Sequence, residues 1–429
     1  MAFRHHNRRS SGKHRGGEKS SGGNSARPSS SSSTEDFQFS VRRAEFPACA
    51  EKCLRQIDRV LDQQQKQAGR PLREIEKQLD EFLFAAVDAR GNVLPAGSRL
   101  SSLQQLQLLH LLCKYFNAKA RMESRQRYAH FEAIFCYRVG DAPLHEARMT
   151  ILTKLASLAV QLRCMPLLQD LATWLLKSGI PPKSSGYLIC QNILRQLCTP
   201  ELYPCLLPLS APKFNPLPEP AVGSSEDDLV QEGSPDFAAL LLASAIASSD
   251  SQTLPSPALL AVCTEWLTAN PKGLLSAARK ATAASGFKKL FSTAIAQLTC
   301  LSISGPVDSL LNDQYSADLW GKLHTGILQL LIFAGSNPMV GGSNPASDEG
   351  SLSLIFYRSL ADSLTHFQAV VLDQPNLVGL INEAFDKLAQ IIQIANFSKC
   401  LTGHKSDIEA VYKRLNYRHE ILELVLETV

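Results

Sequence analysis

The sequence predicts an all-α protein, and within that class an irregular HEAT/ARM-like α-solenoid of stacked helix pairs. Three observations predict it. From about Arg43 onward, apolar residues recur with a helical period almost everywhere. No segment sustains the apolar–polar alternation of a strand, and no Asn-Gly turn joins two β-branched runs. Short breaks rich in Gly, Pro, Asn and Ser separate the periodic segments, but no strict repeat of about 34 or 40-odd residues is present, so the array is irregular.

The elements follow in order. Residues 1–42 are mostly Ser, Gly, Arg and His with little apolar surface to bury, and are read as a disordered basic tail. Phe46, Cys49, Cys53, Ile57, Val60 and Leu61 form a first stripe. Leu72, Ile75, Leu79, Phe82 and Leu83 form a second after Pro71, which suits a first helical turn. A loop, ARGNVLPAG, precedes the run SSLQQLQLLHLLCKYF at 101–116. There Ser102 with Gln105 makes a capping-box pattern. Leu103, Leu106, Leu109, Leu112 and Phe116 fall on one stripe, with Leu108, Leu111 and Tyr115 beside it. Further helices are predicted at about 125–137, 144–164, 166–178, 185–198 and 200–208, closing an N-terminal array at 43–210. An acidic, Pro/Ser-rich flexible connection is predicted at 211–235. A C-terminal array at 236–429 continues with helices at about 236–248, 256–269, 271–284, 287–301, 306–334, 351–373, 376–398, 405–414 and 417–427, broken by a loop at 335–350.

The 429 residues are 45% hydrophobic, ample for a large core, and the net charge is +4. That near-balance is uneven. Residues 1–30 set seven cations against Glu18, for +6, and leave −2 for the remainder. Arg4, Arg8, Arg9, Lys13 and Arg15 are therefore nuclear-import candidates, or a point of nucleic-acid contact. The folded body is too acidic to make phosphate binding its main business. Two local basic patches, KARMESRQR and YKRLNYRH, read as solvated helix faces or landing sites for an acidic partner.

The eleven cysteines lie largely among apolar residues and read as buried, reduced thiols. The amino terminus has no apolar segment of signal-peptide type. Leu290 to Val307 is uncharged at its interior but carries Ser, Thr, Gln, Gly and Pro, so no membrane span is expected. A reducing compartment, cytosol or nucleus, follows. No phosphate loop, Gly-x-Gly-x-x-Gly, His-Glu-x-x-His or Gly-x-Ser-x-Gly motif occurs. Cys49 and Cys53 share a helix face without a second pair to complete a zinc site. No catalytic residue, cofactor, metal or small-molecule substrate is expected.

One short motif stands out: LLHLL, residues 108–112, is a Leu-x-x-Leu-Leu sequence. It allows a free-standing nuclear adaptor whose helix docks in a partner's groove. The alternative is a buried helix, because apolar residues cover well over the ordinary 100° arc.

The surrounding residues carry a more specific signal. SSLQQLQLLHLLCKYF, followed by EARMTILTKLASLAV and PLLQDLATWL, resembles the Integrator complex subunit 15 family. Its pattern reads N-S-L-Q-E-L-Q-L-L with C-N-Y-F, then S-R-M-S-L-L-G-K-L-V-S-M-A-V and C-A-A-S-W-L. Matching positions include Ser102 to Leu109, Cys113, Tyr115, Phe116, Arg148, Met149, Leu152, Lys154, Leu155, Ser157, Ala159, Val160, Trp174 and Leu175. PLREIEKQLDEFLF, KLHTGILQLL and FDKLAQIIQIA are similar to further family segments. The resemblance implies a non-catalytic helical-repeat scaffold in the nuclear Integrator complex. That complex acts with RNA polymerase II in transcription attenuation and small nuclear RNA 3′-end formation. The resemblance also implies association with the module of subunits 10, 13 and 14. Arg148 and Lys154, polar positions within the matched run, become partner-interface candidates or members of internal ion pairs. Leu109, Leu112, Phe116, Leu155 and Trp174 are assigned to the core.

Overall fold

The computed structural model describes residues 45–66, 79, 83–84, 100–136, 142–211, 233–247, 254–282, 286–308, 315–335, 352–373, 377–415 and 417–429. Over these residues the chain is all-α but for one pair of two-residue strands. The basic tail, including Arg4, Arg8, Arg9, Lys13 and Arg15, lies outside them, as do most of the 72–83 stripe, residues 212–232 and the loop at 336–350.

Helix α1 (Ala48–Lys66) buries Cys49, Cys53, Ile57 and Leu61, the predicted stripe, and packs on α3. Helix α2 (Ser102–Ala118) starts one residue earlier in its capping than the sequence pattern suggested. Ser101 Oγ accepts from Gln104 N at 3.3 Å, and Gln104 Oε1 accepts from Ser101 N at 3.0 Å. Gln105 is engaged elsewhere, its Nε2 donating to Leu100 O at 2.8 Å.

Helix α3 (Ser124–Phe131) does not run on as α-helix to 137. It widens into a π-helix at Glu132–Cys136, whose Ala133, Ile134 and Phe135 are buried. Helices α4 (Ala142–Gln161), α5 (Met165–Ser178) and α6 (Ser185–Leu197) follow close to prediction. The helix expected at 200–208 is instead two 3-10 turns, Tyr203–Cys205 and Leu207–Ser210. Pro204 and Pro208 explain this: each lacks the N–H an α-helical turn requires.

Helix α7 (Pro235–Ile246) has all twelve residues buried. It packs against α5 and α6 before it, and against α9 (Pro271–Lys280) and α10 (Phe287–Asp308) after it. Helix α8 (Pro257–Ala269) is capped by Ser256, and α9 by Asn270, whose Oδ1 accepts from Gly273 N at 2.9 Å. Helix α10 runs through Pro306 to Asp308, so the helix predicted from 306 begins instead as α11 at Ala317, ending at Gly335. By length and hydropathy α10 passes for a membrane span, yet 67% of that window is buried by the protein's own helices. Phe287, Phe291, Ile295 and Leu298 lie in the core, as expected of a central helix in a helical fold.

Two short strands that no sequence pattern predicts, β1 (Ile355–Phe356) and β2 (Leu401–Thr402), pair in parallel. Leu354 N and Ile355 N both donate to Cys400 O at 3.1 Å, so the chain is held extended until α12 (Tyr357–Asp373) begins. Helix α13 (Val378–Phe397) is capped by Ser398, and Lys399, with φ of 55°, turns the chain toward β2. Helices α14 (Lys405–Tyr412) and α15 (Glu420–Thr428) close the fold against α12 and α13 respectively. A single apolar cluster links buried residues from Cys49 to Leu426.

Candidate interaction surface

The two interface candidates have opposite fates. Arg148 is 0% exposed, with its guanidinium carbon 5.4 Å above the Phe84 ring, so it packs the interior instead of meeting a partner. In the second turn of α4, its long stem and flat head are buried inside the fold. Lys154, one and a half turns further along, is exposed. Its Nζ donates to Gln105 Oε1 at 2.6 Å, which places the ammonium at the amino-terminal end of α2.

The Leu-x-x-Leu-Leu reading fails on burial. Leu108 and Leu112 are both 0% exposed, and only His110 of the five residues is fully exposed. The groove-docking adaptor needed those leucines at the surface. Leu109, Phe116 and Leu155 are in the core as assigned, and Trp174 is partly buried against it.

The amino-terminal end of the predicted apolar stripe of α2 lies at the surface. Leu103 is 65% exposed and Leu106 49%. With His110, Lys114 and Asn117 they recur every three or four residues, a continuous stripe along the helix. The signal that could have found it is the glutamine run: Gln104, Gln105 and Gln107 interrupt the apolar pattern only in the first two turns, where the helix leaves the packed interior. Other exposed apolar side chains are scattered over later helices, among them Ile332, Phe397, Ile421 and Leu424, with Phe397 89% exposed.

The polar side chains that are buried hold helices together. Arg127 Nε donates to Asp170 Oδ2 at 3.0 Å, joining α3 to α5, and both residues are buried. Asp58 of α1 meets three groups. It accepts from Tyr115 Oη at 2.6 Å and pairs with Lys119 Nζ at 2.8 Å, while His130 Nδ1 lies 3.4 Å away. Tyr115 gives its one proton to Asp58, so His130 Nδ1, 3.0 Å from that hydroxyl, is the donor there. Burial foremost, and then Lys119, lowers the His130 pKa to about 4.

The thiols are shielded too. Burial pushes Cys53 and Cys190 up to about 12 and Cys198 to about 11. Cys164 departs from this pattern. A hydrogen bond with the Cys113 thiol lowers its pKa, and Cys113 is raised in turn. Among the described residues no three His, Cys, Asp or Glu side chains gather as a metal site.

Fold and surface together define a helical protein whose described surface carries an apolar–basic stripe and isolated exposed apolar side chains. Comparison with known proteins gives the family. The family model for Integrator complex subunit 15 matches residues 35–417, and the chain belongs to that family. It is similar to Integrator complex subunit 15 of Mus musculus, 25% identical over 425 residues that cover 91% of this chain and 86% of the mouse protein. The Homo sapiens protein of the same name is 24% identical over 426 residues, with the same coverages. The Danio rerio protein is 25% identical over 418 residues, covering 91% and 80%.

Proposed function

We propose that this protein is a non-catalytic scaffold subunit of the nuclear Integrator complex. In this reading it supports small nuclear RNA 3′-end processing and RNA polymerase II transcription attenuation through protein–protein contacts alone. The observation that carries the reading is the family match across residues 35–417, which includes nearly all the described helices. The core composition agrees with it: buried charged groups such as Arg127 and Asp170 are committed to one another. The partners are other Integrator subunits, with the module of subunits 10, 13 and 14 as the specific attachment point. An HEAT/ARM-like stacking of the helices, if extended through the whole chain, would supply the broad surface that such attachment uses. The basic residues Arg4, Arg8, Arg9, Lys13 and Arg15 serve nuclear import.

The test is tandem affinity purification of the full chain, tagged at its carboxyl end, from nuclear extract. Integrator subunits should be recovered in stoichiometric amounts, with subunits 10, 13 and 14 retained longest as salt is raised. A clean purification containing none of them would end this reading.

A further inference from the structure

We propose that the outward face of α2 docks an acidic amphipathic helix of a partner subunit. The proposal rests on the Integrator-subunit reading and adds to it a face and a partner chemistry. Leu103, Leu106, His110, Lys114 and Asn117 are exposed along one side of α2. At about 1.5 Å per residue the stripe is roughly 20 Å long, a match for a partner helix of about four turns. Two exposed leucines at its amino-terminal end supply the apolar anchor.

The charge along the stripe selects the occupant. Helix α2 contains no Asp or Glu, and neither do the described side chains of α4, residues 148–161. Lys114 is exposed on the stripe itself, and Arg121 and Arg125 follow just past the end of α2, with Glu123 the one exposed acid between them; Lys154, held by Gln105, sits on the other side of the helix. Of the acids of α1 near this helix, Asp58 is taken up by Tyr115 and Lys119, and the exposed Asp62 lies toward Tyr115, off the stripe. A partner helix that covers Leu103 and Leu106 and runs along the stripe therefore brings its far end against Lys114 and the arginines beyond it. Carboxylates at that end are attracted, and lysines or arginines are repelled. The same argument disfavours a second copy of this chain on the face, because two such stripes would set lysine against lysine.

The test uses the full tagged chain with a photo-crosslinking benzoylphenylalanine at Leu103 or Leu106, irradiated in nuclear extract. The crosslink should map to an Integrator subunit, within a helical segment carrying Asp or Glu about two to three turns from the attachment point. In parallel, Lys114→Glu with Arg121→Glu should lower recovery of that subunit on the order of tenfold at physiological salt. Both are surface changes, and an unchanged thermal melt verifies that the variant is folded. If the unaltered chain recovers Integrator and the double variant recovers it equally, the docking face is wrong while the scaffold reading stands. A crosslink to a basic segment, or to a second copy of this chain, also overturns the face. If the unaltered chain recovers no Integrator subunit, the scaffold reading falls and takes the proposal with it.

Discussion

At the scale of single residues, the buried ion pair Arg127–Asp170 is the group least tolerant of change. Arg127 also donates through Nη2 to Gln169 Oε1 at 3.0 Å, and Gln169 Nε2 donates to Gly233 O at 3.2 Å, so one guanidinium fixes α3, α5 and the approach to α7. Asp170→Asn leaves a buried cation without its counter-ion and should cost about 3–5 kcal/mol. Replacing both partners, Arg127→Met with Asp170→Leu, should recover most of that loss. Urea denaturation of the three proteins measures it, and equal midpoints for all three would contradict the argument. His130 gives a second prediction. Its folded pKa, about 4, lies below the ordinary histidine value because burial disfavours the cation. Its contribution is therefore fully present above pH of about 6.5 and is lost as pH falls toward about 4. Subtracting the stability of His130→Gln from that of the natural chain, pH by pH, isolates this loss from that of the carboxylates. A flat difference across the window would refute it. None of these pairings was legible in the sequence. Arg127 and Asp170 stand 43 positions apart, and only the fold brings them together.

At the scale of elements, glycines show where helix packing is tightest. Gly305 of α10 faces Trp320 of α11 so closely that a Cβ there would overlap the indole ring. Trp320 is itself buried and cannot swing away. Alanine gains about 1 kcal/mol of helix propensity over glycine, whereas overpacking a core costs about 1–3 kcal/mol. Gly305→Ala should therefore destabilise the protein. Gly321, in α11 with open space around its Cα, should do the reverse and stabilise on mutation to alanine by up to about 1 kcal/mol. Thermal melts of the two variants should shift in opposite directions, and shifts of the same sign would show that the α10–α11 contact is softer than drawn. Element type was largely legible, because 3.6-residue periodicity is a local property of the chain. The failures have local causes as well. Two prolines turned the 200–208 helix into 3-10 turns, and a long-range pairing with Leu401 and Thr402 held Ile355 and Phe356 extended. The exposure of Leu103 and Leu106 is not legible in the sequence's periodicity for a related reason. Periodicity reports that a residue is apolar, but whether anything covers it depends on neighbours distant in sequence.

At the scale of the whole molecule, the question is whether the helices before residue 211 and those after 233 form one cooperative body. Helix α7 argues that they do. All its residues are buried, between α5 and α6 on one side and α9 and α10 on the other. The seam is also bridged by hydrogen bonds from side chains to main-chain carbonyls: Gln191 Nε2 to Ser244 O at 2.6 Å, Trp266 Nε1 to Leu206 O at 2.9 Å, and Asn270 Nδ2 to Ser210 O at 2.7 Å. Ser234 N donates to Leu209 O at 2.8 Å, so the chain re-enters the fold beside the point where it left. Separating the halves would expose the apolar surface of α7 at roughly 25 cal/mol per Å² and strand these carbonyls. A covalent connection across 212–232 is therefore unnecessary for association. A protease site inserted there and cut in the native protein should give two fragments on a denaturing gel. The same sample should elute from gel filtration as one species with a single thermal transition. Two separated peaks, or two transitions, would mean that the halves are independent domains and that α7 belongs to only one of them.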